Sequence, residues 1–202
     1  MILTNIVRDS VRGTEVVNLK DYFLSRRTLL LTEEVTSETM TELILGLLYL
    51  ESEDNSSEIT LLINSPGGDT SSGLALFDLL RAARSPVRTV CIGIAASMAG
   101  ILFLAGDKRE MLPHTRLMLH DPSISYCSVD NLKPHELQRR LIELDKVRKD
   151  LTDIVSQSTG KSTKFLEKMT REDCFFTAQE AIEFGLATGI ADLSGTQEEV
   201  IL

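Results

Sequence analysis

The chain has 202 residues, of which 43% are hydrophobic, so it can bury one core and is expected to form one domain. Its net charge of −9 argues against a nucleic-acid surface, and its apolar runs are too short to span a bilayer. Three irregularly spaced cysteines favour a reducing compartment, so we expect a cytoplasmic protein, with an organelle matrix as the alternative.

Apolar segments alternate with segments of helical periodicity along the first part of the chain. Strands are predicted over 27–31, 59–63, 87–95 and 116–119. Helices are predicted from Ser37, over 74–80 and over 97–104, the first with one apolar face formed by Met40, Leu43, Ile44, Leu47 and Leu48. This βαβα order with continuous apolar strands is typical of a parallel sheet buried on both faces.

The C-terminal part contains an unusually long apolar repeat. Apolar residues recur at helical spacing from His135 to about Val155, namely Leu137, Leu141, Leu144, Val147, Leu151 and Val155. We expect an arm whose apolar stripe needs a partner chain, with packing on its own core as the alternative. Farther on, Thr177 and Glu180 form a capping box, and Gly185 ends the short helix that they start.

Ser97 is the residue of this chain that is best placed to act as a nucleophile. It lies where an apolar strand meets a helix, flanked by small residues, and acyl transfer needs a nucleophile in that position. His120, at the end of the run RLML, is a candidate base, although a satisfied histidine at a strand end is the ordinary alternative. The glycines Gly67 and Gly68 after a strand suit an oxyanion hole, with a plain turn as the alternative.

The segment TGKS at 159–162 is similar to the end of a P-loop. Val155 occupies the position of the first glycine, however, and the segment follows a helix where the motif requires a strand. We therefore expect no nucleotide binding by this chain.

Four motifs occur in order along the chain: INSPGG at 63–68, GIAASMAG at 93–100, RLMLHDP at 116–122 and REDCFFTAQEAIEFGL at 171–186. Together they resemble the proteolytic subunit of the ATP-dependent Clp protease, a serine peptidase family. The resemblance covers nearly the whole chain. Each motif alone is weak, whereas four in register are specific.

The resemblance implies a complete catalytic set. It makes Ser97 the nucleophile, His120 the general base and Asp173 the carboxylate that orients His120. It places the oxyanion donors on the backbone N–H groups of Gly68 and Met98. Composition alone does not select the acid, because 30 acidic residues compete for that role. No metal or cofactor is implied in this chain, since ATP is used by a partner ATPase.

The resemblance also implies a crotonase-like α/β fold of stacked ββα units with a projecting handle helix. A single domain would span 1–202, with an N-terminal axial loop over about 1–20 and the handle over about 121–158. Heptameric rings would stack as a double-ring tetradecamer, either with themselves or with a second Clp proteolytic subunit. A Clp-family AAA+ ATPase would deliver unfolded proteins. Positions matching its docking groove, each equally suited to the core, are Leu48, Leu62, Leu80, Ile92 and Leu112.

The chain departs from the family pattern at assembly and docking positions. Leu62 stands where a tyrosine is common, and Asp121 replaces a glutamine. SISYCSVDNLKPHE replaces a glycine-rich handle segment, and Arg171 with Glu172 reverses the usual acid-then-Arg order. Because that pair joins rings in the family, we expect this ring to stack poorly on itself or to prefer a ring of another subunit.

Three functions follow from these observations. The leading one is a serine endopeptidase that cleaves peptides and unfolded proteins inside a ring. The second is a structural or conditionally active subunit that needs a partner ring, which is disfavoured because related non-catalytic subunits typically lose triad residues. The third is a CoA-binding hydratase or isomerase of the same fold, disfavoured because such enzymes need no Ser, His, Asp set.

Overall fold

The computed structural model describes residues 5–10, 13–123 and 133–193, which form two sheets and seven helices. The strands are β1 Asn5–Ser10, β2 Gly13–Asn18, β3 Thr28–Leu31, β4 Ile59–Ser65, β5 Val87–Ala96, β6 Lys108–Met111, β7 Arg116–Leu119, β8 Cys174–Thr177 and β9 Gly189–Ile190. The helices are α1 Leu19–Ser25, α2 Ser37–Glu53, α3 Thr70–Ala82, α4 Met98–Phe103, α5 Pro134–Thr159, α6 Thr163–Met169 and α7 Ala178–Phe184.

A mostly parallel sheet forms the centre of the fold. Its main strand order is β3-β4-β5-β6-β9, and β7 pairs in parallel with the C-terminal end of β5. The last strand in this group, β8, is antiparallel to β7. The predicted α/β class is confirmed, whereas β6, β8 and β9 are strands that the sequence patterns did not indicate.

Burial of the sheet differs from strand to strand. Along β4, Ile59, Leu61 and Ile63 are fully buried, but the alternating residues Thr60 and Leu62 are only half-buried. The expected burial on both faces is met in the middle of β5, where the consecutive residues Thr89, Val90 and Cys91 are all fully buried, but not in β4. A continuous apolar run does not show by itself how much of each face its own helices cover.

The predicted helix from Ser37 is confirmed, with one change in its apolar face. Its buried residues are Met40, Leu43, Leu47 and Leu50, which follow the helical repeat. Leu48 is instead half-exposed at 50%, because it lies about 100° around the helix from Leu47. Among the candidate docking residues, Leu80 is buried at 2% exposure and belongs to the core.

The boundaries of α3 also differ from the sequence expectation. The helix begins at Thr70, where the Asp69 side chain caps it, rather than after Gly73. Gly73 lies inside the helix. The residue there is glycine because a Cβ would collide with the Met98 side chain. This close approach of α3 to α4 explains a glycine that resembles a helix start in the sequence.

The long C-terminal helix is confirmed and is slightly longer than predicted, with 26 residues. Its second half packs on the chain's own core through Thr152 and Val155, so the alternative interpretation holds there. Leu141 and Ile142 in the first half are more than half exposed. Gly160 ends the helix with a φ of 71°, so TGKS follows a helix as expected and lacks a P-loop context.

Two regions named from the resemblance lie partly outside the described residues. Within 1–20, β1 and β2 form an antiparallel hairpin that leads into α1, while 1–4 and 11–12 are not described. Within the handle region, 124–132 are not described, and they hold Cys127 and most of the altered segment. In the described part of the chain, no helix is long and apolar enough to cross a membrane.

A buried ion pair joins β5 to β6. The Glu110 side chain is 9% exposed and contacts Arg88 at 2.6 Å and Lys108 at 3.0 Å. Burial alone would raise the pKa of the Glu110 carboxyl, but hydrogen bonds and charges from Arg88 and Lys108 outweigh burial and hold that pKa below its usual value. A carboxyl whose folded-state pKa is depressed stabilises the protein above its unfolded pKa and loses that contribution as pH falls.

We expect Glu110→Gln to lower the free energy of unfolding at pH 7 by about 2 kcal/mol, because charged hydrogen bonds in a buried pair are lost. The difference from the unsubstituted protein should shrink below about pH 4.3, as the carboxyl becomes protonated first in the unfolded chain and at lower pH in the folded protein. Urea titrations across pH measure both effects. Glu42→Gln, which removes the exposed Lys20–Glu42 pair, is the control and should change stability by less than about 1 kcal/mol. A difference that persists unchanged at low pH contradicts the assignment.

Candidate active site

Ser97 lies between β5 and α4 with a strained backbone. Its φ of 54° and ψ of −122° cost about 1–3 kcal/mol for a residue other than glycine. Only Arg27 shares a positive φ among the non-glycine residues that the structure describes. The Ser97 N–H donates to the Met118 carbonyl at 2.9 Å, and its hydroxyl makes no capping hydrogen bond to α4. The hydroxyl is therefore available for another partner.

The sheet brings His120 to Ser97. Because β5 and β7 are parallel, with Ala96 opposite Met118, the residues that follow both strands lie at the same edge. His120 Nε2 is 2.8 Å from Ser97 Oγ, which is a hydrogen-bond distance. The structure thus brings the predicted nucleophile and base together within one chain.

Asp173 lies on the other side of the imidazole. The antiparallel ladder of β7 and β8 ends with Leu119 opposite Cys174, so the residue before β8 reaches His120. Asp173 Oδ1 is 3.3 Å from His120 Nδ1, slightly beyond the usual N–H···O range of about 2.7–3.2 Å. The Asp173 side chain is 61% exposed, against 29% for His120. The three predicted residues lie in the order Ser97, His120, Asp173. The contact between His120 and Asp173 is the longer of the two.

The glycine turn after β4 packs directly on the Ser97 backbone. Gly67 has a φ of 91° and Gly68 a φ of 148°, which other residues rarely adopt. A Cβ on Gly67 would stand 2.5 Å from the Ala96 carbonyl and 2.9 Å from the Met98 nitrogen. A hydrogen bond of 2.8 Å from the Val35 N–H to the Gly67 carbonyl holds the turn in place. Only glycine permits this approach.

The two predicted oxyanion donors border the same cavity as Ser97 and His120. Met98 is the first residue of α4, so its N–H has no acceptor inside that helix. Gly68 follows the strand β4 and precedes α3. Both residues therefore lie at the cavity that holds Ser97, and the donor role of their N–H groups stays a prediction.

The cavity has a volume of about 220 Å³ and a mixed lining. Its apolar wall comes from α4, α5 and α6 through Ile101, Leu151, Val155 and Leu166. Its polar side groups are Asp121, Arg148, Thr152 and Thr170. Sequence reasoning did not assign α5 or α6 to the site. The apolar spacing of Leu151 and Val155 was the available signal, but spacing shows which face is apolar and not what that face covers.

The two cysteines that the structure describes are poor competitors for the role of nucleophile. Burial raises the pKa of the Cys91 thiol. Burial, followed by the charges of Asp173 and Glu172, raises the pKa of the Cys174 thiol. Both groups therefore stay in the less reactive thiol form. Within the described residues, no cluster of His, Cys, Asp or Glu is arranged to hold a metal ion.

Comparison with known proteins is decisive for the family. A Clp protease family model matches residues 11–194. The chain belongs to the Clp protease family. Over 183 residues it is 36% identical to the ATP-dependent Clp protease proteolytic subunit 2 of Chlamydia trachomatis serovar D. The aligned region covers 90% of this chain and 88% of that relative. The match to the Clp protease family includes every residue of the candidate site, from Gly68 to Asp173.

We expect Gly67→Ala to lower the free energy of unfolding by more than about 3 kcal/mol, because positive-φ strain adds to a collision with backbone atoms of Ala96 and Met98. Gly160→Ala is the matched control, since Gly160 also has a positive φ but faces open space, and should cost about 1–2 kcal/mol. Urea unfolding at one protein concentration compares the two. Equal losses would show that packing on Ser97 contributes nothing.

Proposed function

We propose that this chain is a serine endopeptidase, the proteolytic subunit of an ATP-dependent Clp protease. The observation that carries the proposal is the 2.8 Å contact between Ser97 Oγ and His120 Nε2, at a cavity that Gly68 and Met98 also border. The position of Asp173 at the second imidazole nitrogen supports it. A nucleophile, a base and an orienting acid in this order are the parts that acyl transfer requires.

In the proposed reaction, Ser97 Oγ attacks the carbonyl carbon of the scissile peptide while His120 Nε2 takes the hydroxyl proton. The backbone N–H groups of Gly68 and Met98 donate hydrogen bonds to the oxygen that becomes negative. His120 then gives the proton to the leaving amine, and an acyl group remains on Ser97. Water, activated by the same imidazole, hydrolyses this ester and restores the serine.

Asp173 has an orienting role in this scheme. Its carboxylate accepts from His120 Nδ1–H, which leaves Nε2 as the acceptor for the serine proton. It also stabilises the imidazolium that forms during attack. The 3.3 Å distance and the exposure of Asp173 leave this contact to be tightened in the working complex.

The cavity lining supports peptide substrates that place an apolar side chain next to the scissile bond. Ile101, Leu151 and Val155 offer an apolar wall beside Ser97. The proposal requires no metal or cofactor in this chain. ATP would be used by a separate Clp-family AAA+ ATPase that delivers unfolded protein. The Chlamydia relative is named as a subunit of an ATP-dependent protease.

The proposal includes heptameric rings that stack through the handle helices. The exposed Leu141 and Ile142 on the first half of α5 support a contact with another chain there. A second candidate is a conditionally active subunit that needs a partner ring. The loose and exposed Asp173 contact favours this candidate, because a partner ring would then complete the geometry at the acid.

We expect Ser97→Ala to abolish peptide hydrolysis, with a loss of about a million-fold, because removal of a triad nucleophile leaves only binding and oxyanion contributions. The measurement is turnover of a fluorogenic peptide, together with the intact mass after treatment with a fluorophosphonate. The unsubstituted chain should gain one adduct on Ser97, and the variant should gain none.

Ser71→Ala is the matched control, since Ser71 lies exposed on α3, and it should keep both turnover and adduct. Substantial turnover by Ser97→Ala contradicts the assignment of the nucleophile. Protection of the chain from proteolysis by an acyl-CoA, without a fluorophosphonate adduct, would instead support a CoA-binding hydratase or isomerase.

We expect the pure chain to form heptameric rings that pair poorly, because Arg171 and Glu172 reverse the charge order that joins rings in the family. Native mass spectrometry of the pure chain, with and without a second Clp proteolytic subunit, measures this. A stable and active double ring of the pure chain contradicts the prediction. Activity that appears only with the partner ring supports the conditionally active subunit.

A further inference from the structure

The loop that carries Asp173 is tied to the residue that follows His120. The Asp121 N–H donates to the Thr170 carbonyl at 2.7 Å, and Thr170 Oγ1 donates to Asp121 Oδ1 at 2.5 Å. Two hydrogen bonds between the same two residues fix both their distance and their orientation. Asp173 lies three residues beyond Thr170, so this pair sets the start of its loop.

The other contacts that position Asp173 are weaker: the thiol of the adjacent Cys174 lies 3.1 Å from the Met169 carbonyl and 3.4 Å from the Glu172 carbonyl, and a thiol is a weak donor. The ladder between β7 and β8 ends at the pair Leu119 and Cys174, so Asp173, the residue preceding Cys174, is not part of it. In the described part of the chain, His120 is the one side chain that pairs with the Asp173 carboxylate. An exposed carboxylate gains rotamer and loop freedom unless its backbone is anchored on both sides. The β8 ladder supplies one anchor, and the contact at Thr170 supplies the other.

Contacts with helix α6 hold Thr170 in place. It caps the C-terminus of α6, is 9% exposed, and its Oγ1 also lies 3.1 Å from the Leu166 carbonyl. The helix is held in turn by the fully buried Leu166 and by an ion pair of 3.0 Å between Glu167 and Arg148 of α5. Position is therefore transmitted from the helix pair α5 and α6 to the start of the Asp173 loop.

We propose that Asp121 and Thr170 are a positioning pair that holds Asp173 against His120. The inference rests on the proposed function, because it assigns a role within the proposed triad. In this contact the Thr170 hydroxyl donates and the Asp121 carboxylate accepts. A hydrogen bond to a carboxylate is stronger than one between two neutral groups. Both residues also border the cavity, but the pair acts through the acid rather than on the reacting atoms, so its loss lowers the rate of acylation more than it weakens substrate binding.

Four variants test the pair. Thr170→Val keeps the branched shape and removes the donor, whereas Thr170→Ser keeps the donor. Asp121→Leu removes the acceptor, whereas Asp121→Asn keeps an acceptor oxygen. We expect Thr170→Val and Asp121→Leu to lower kcat for a fluorogenic peptide roughly tenfold to a hundredfold with KM changed less than twofold, as for a misplaced catalytic group. Thr170→Ser and Asp121→Asn should keep most of the activity.

Thr159→Val is the matched control. Thr159 ends α5, and its hydroxyl donates to the Val155 carbonyl four residues earlier at 2.7 Å. The substitution therefore removes a helix-end hydroxyl in the same way as Thr170→Val, whose hydroxyl also lies beside a carbonyl four residues earlier, but away from the site. We expect it to leave kcat unchanged.

A double-mutant cycle with Asp173→Asn separates positioning from a structural role. The readout is the rate at which a fluorophosphonate acylates Ser97, followed by intact mass, because this small probe does not depend on peptide contacts. Thr170→Val should slow acylation in the native background and add less than a twofold further effect when Asp173 is already replaced. A merely structural role would slow acylation equally in both backgrounds.

Each outcome decides the matter. A Thr170→Val variant with the kcat of Thr159→Val overturns the inference, and so does an equal effect in both Asp173 backgrounds. Loss of the folded or assembled state in both Thr170→Val and Asp121→Leu, measured by native mass, assigns the pair a structural role and also overturns it. Absence of any Ser97 adduct in the unsubstituted protein, both alone and with a second Clp proteolytic subunit, overturns the proposed function itself, which distinguishes the two failures.

Discussion

The parallel pairing of β5 with β7 is the constraint on which the candidate site depends. It aligns Ala96 with Met118 and continues through the hydrogen bond from the Ser97 N–H to the Met118 carbonyl. That bond holds Ser97 in a positive-φ conformation that an isolated strand-to-helix junction would not keep. The serine hydroxyl then faces the edge of the sheet at which β7 delivers His120.

Close backbone packing surrounds this junction. Gly67 lets the turn after β4 approach the Ala96 carbonyl, and Gly73 lets α3 approach the Met98 side chain. All six residues of α4 are buried, so the helix that follows the serine cannot shift without disturbing the core. The strain at Ser97 is thus maintained by packing on both sides.

The acidic side chains of this molecule differ in their burial and in the contacts that hold them. Glu110 and Arg88 form a buried pair with two cationic contacts to the carboxylate, which suits a structural role between neighbouring strands. Asp173 is exposed and makes one longer contact, which suits an acid whose geometry depends on its loop. The hydrogen bonds between Asp121 and Thr170 stand between these extremes, because they connect a half-buried carboxylate to a buried helix cap.

The sequence by itself determined the strand before Ser97, the capped helix after Thr177 and the long helix, because local periodicity and caps report local structure. It also identified Ser97 and His120 as candidates from their positions at strand ends. Asp173 entered through family motifs alone, since an exposed carboxylate has no local signature. Only the tertiary structure decided that α5 and α6 line the cavity and that Asp121 meets Thr170, because such contacts join residues far apart in the sequence, 49 positions in the case of Asp121 and Thr170.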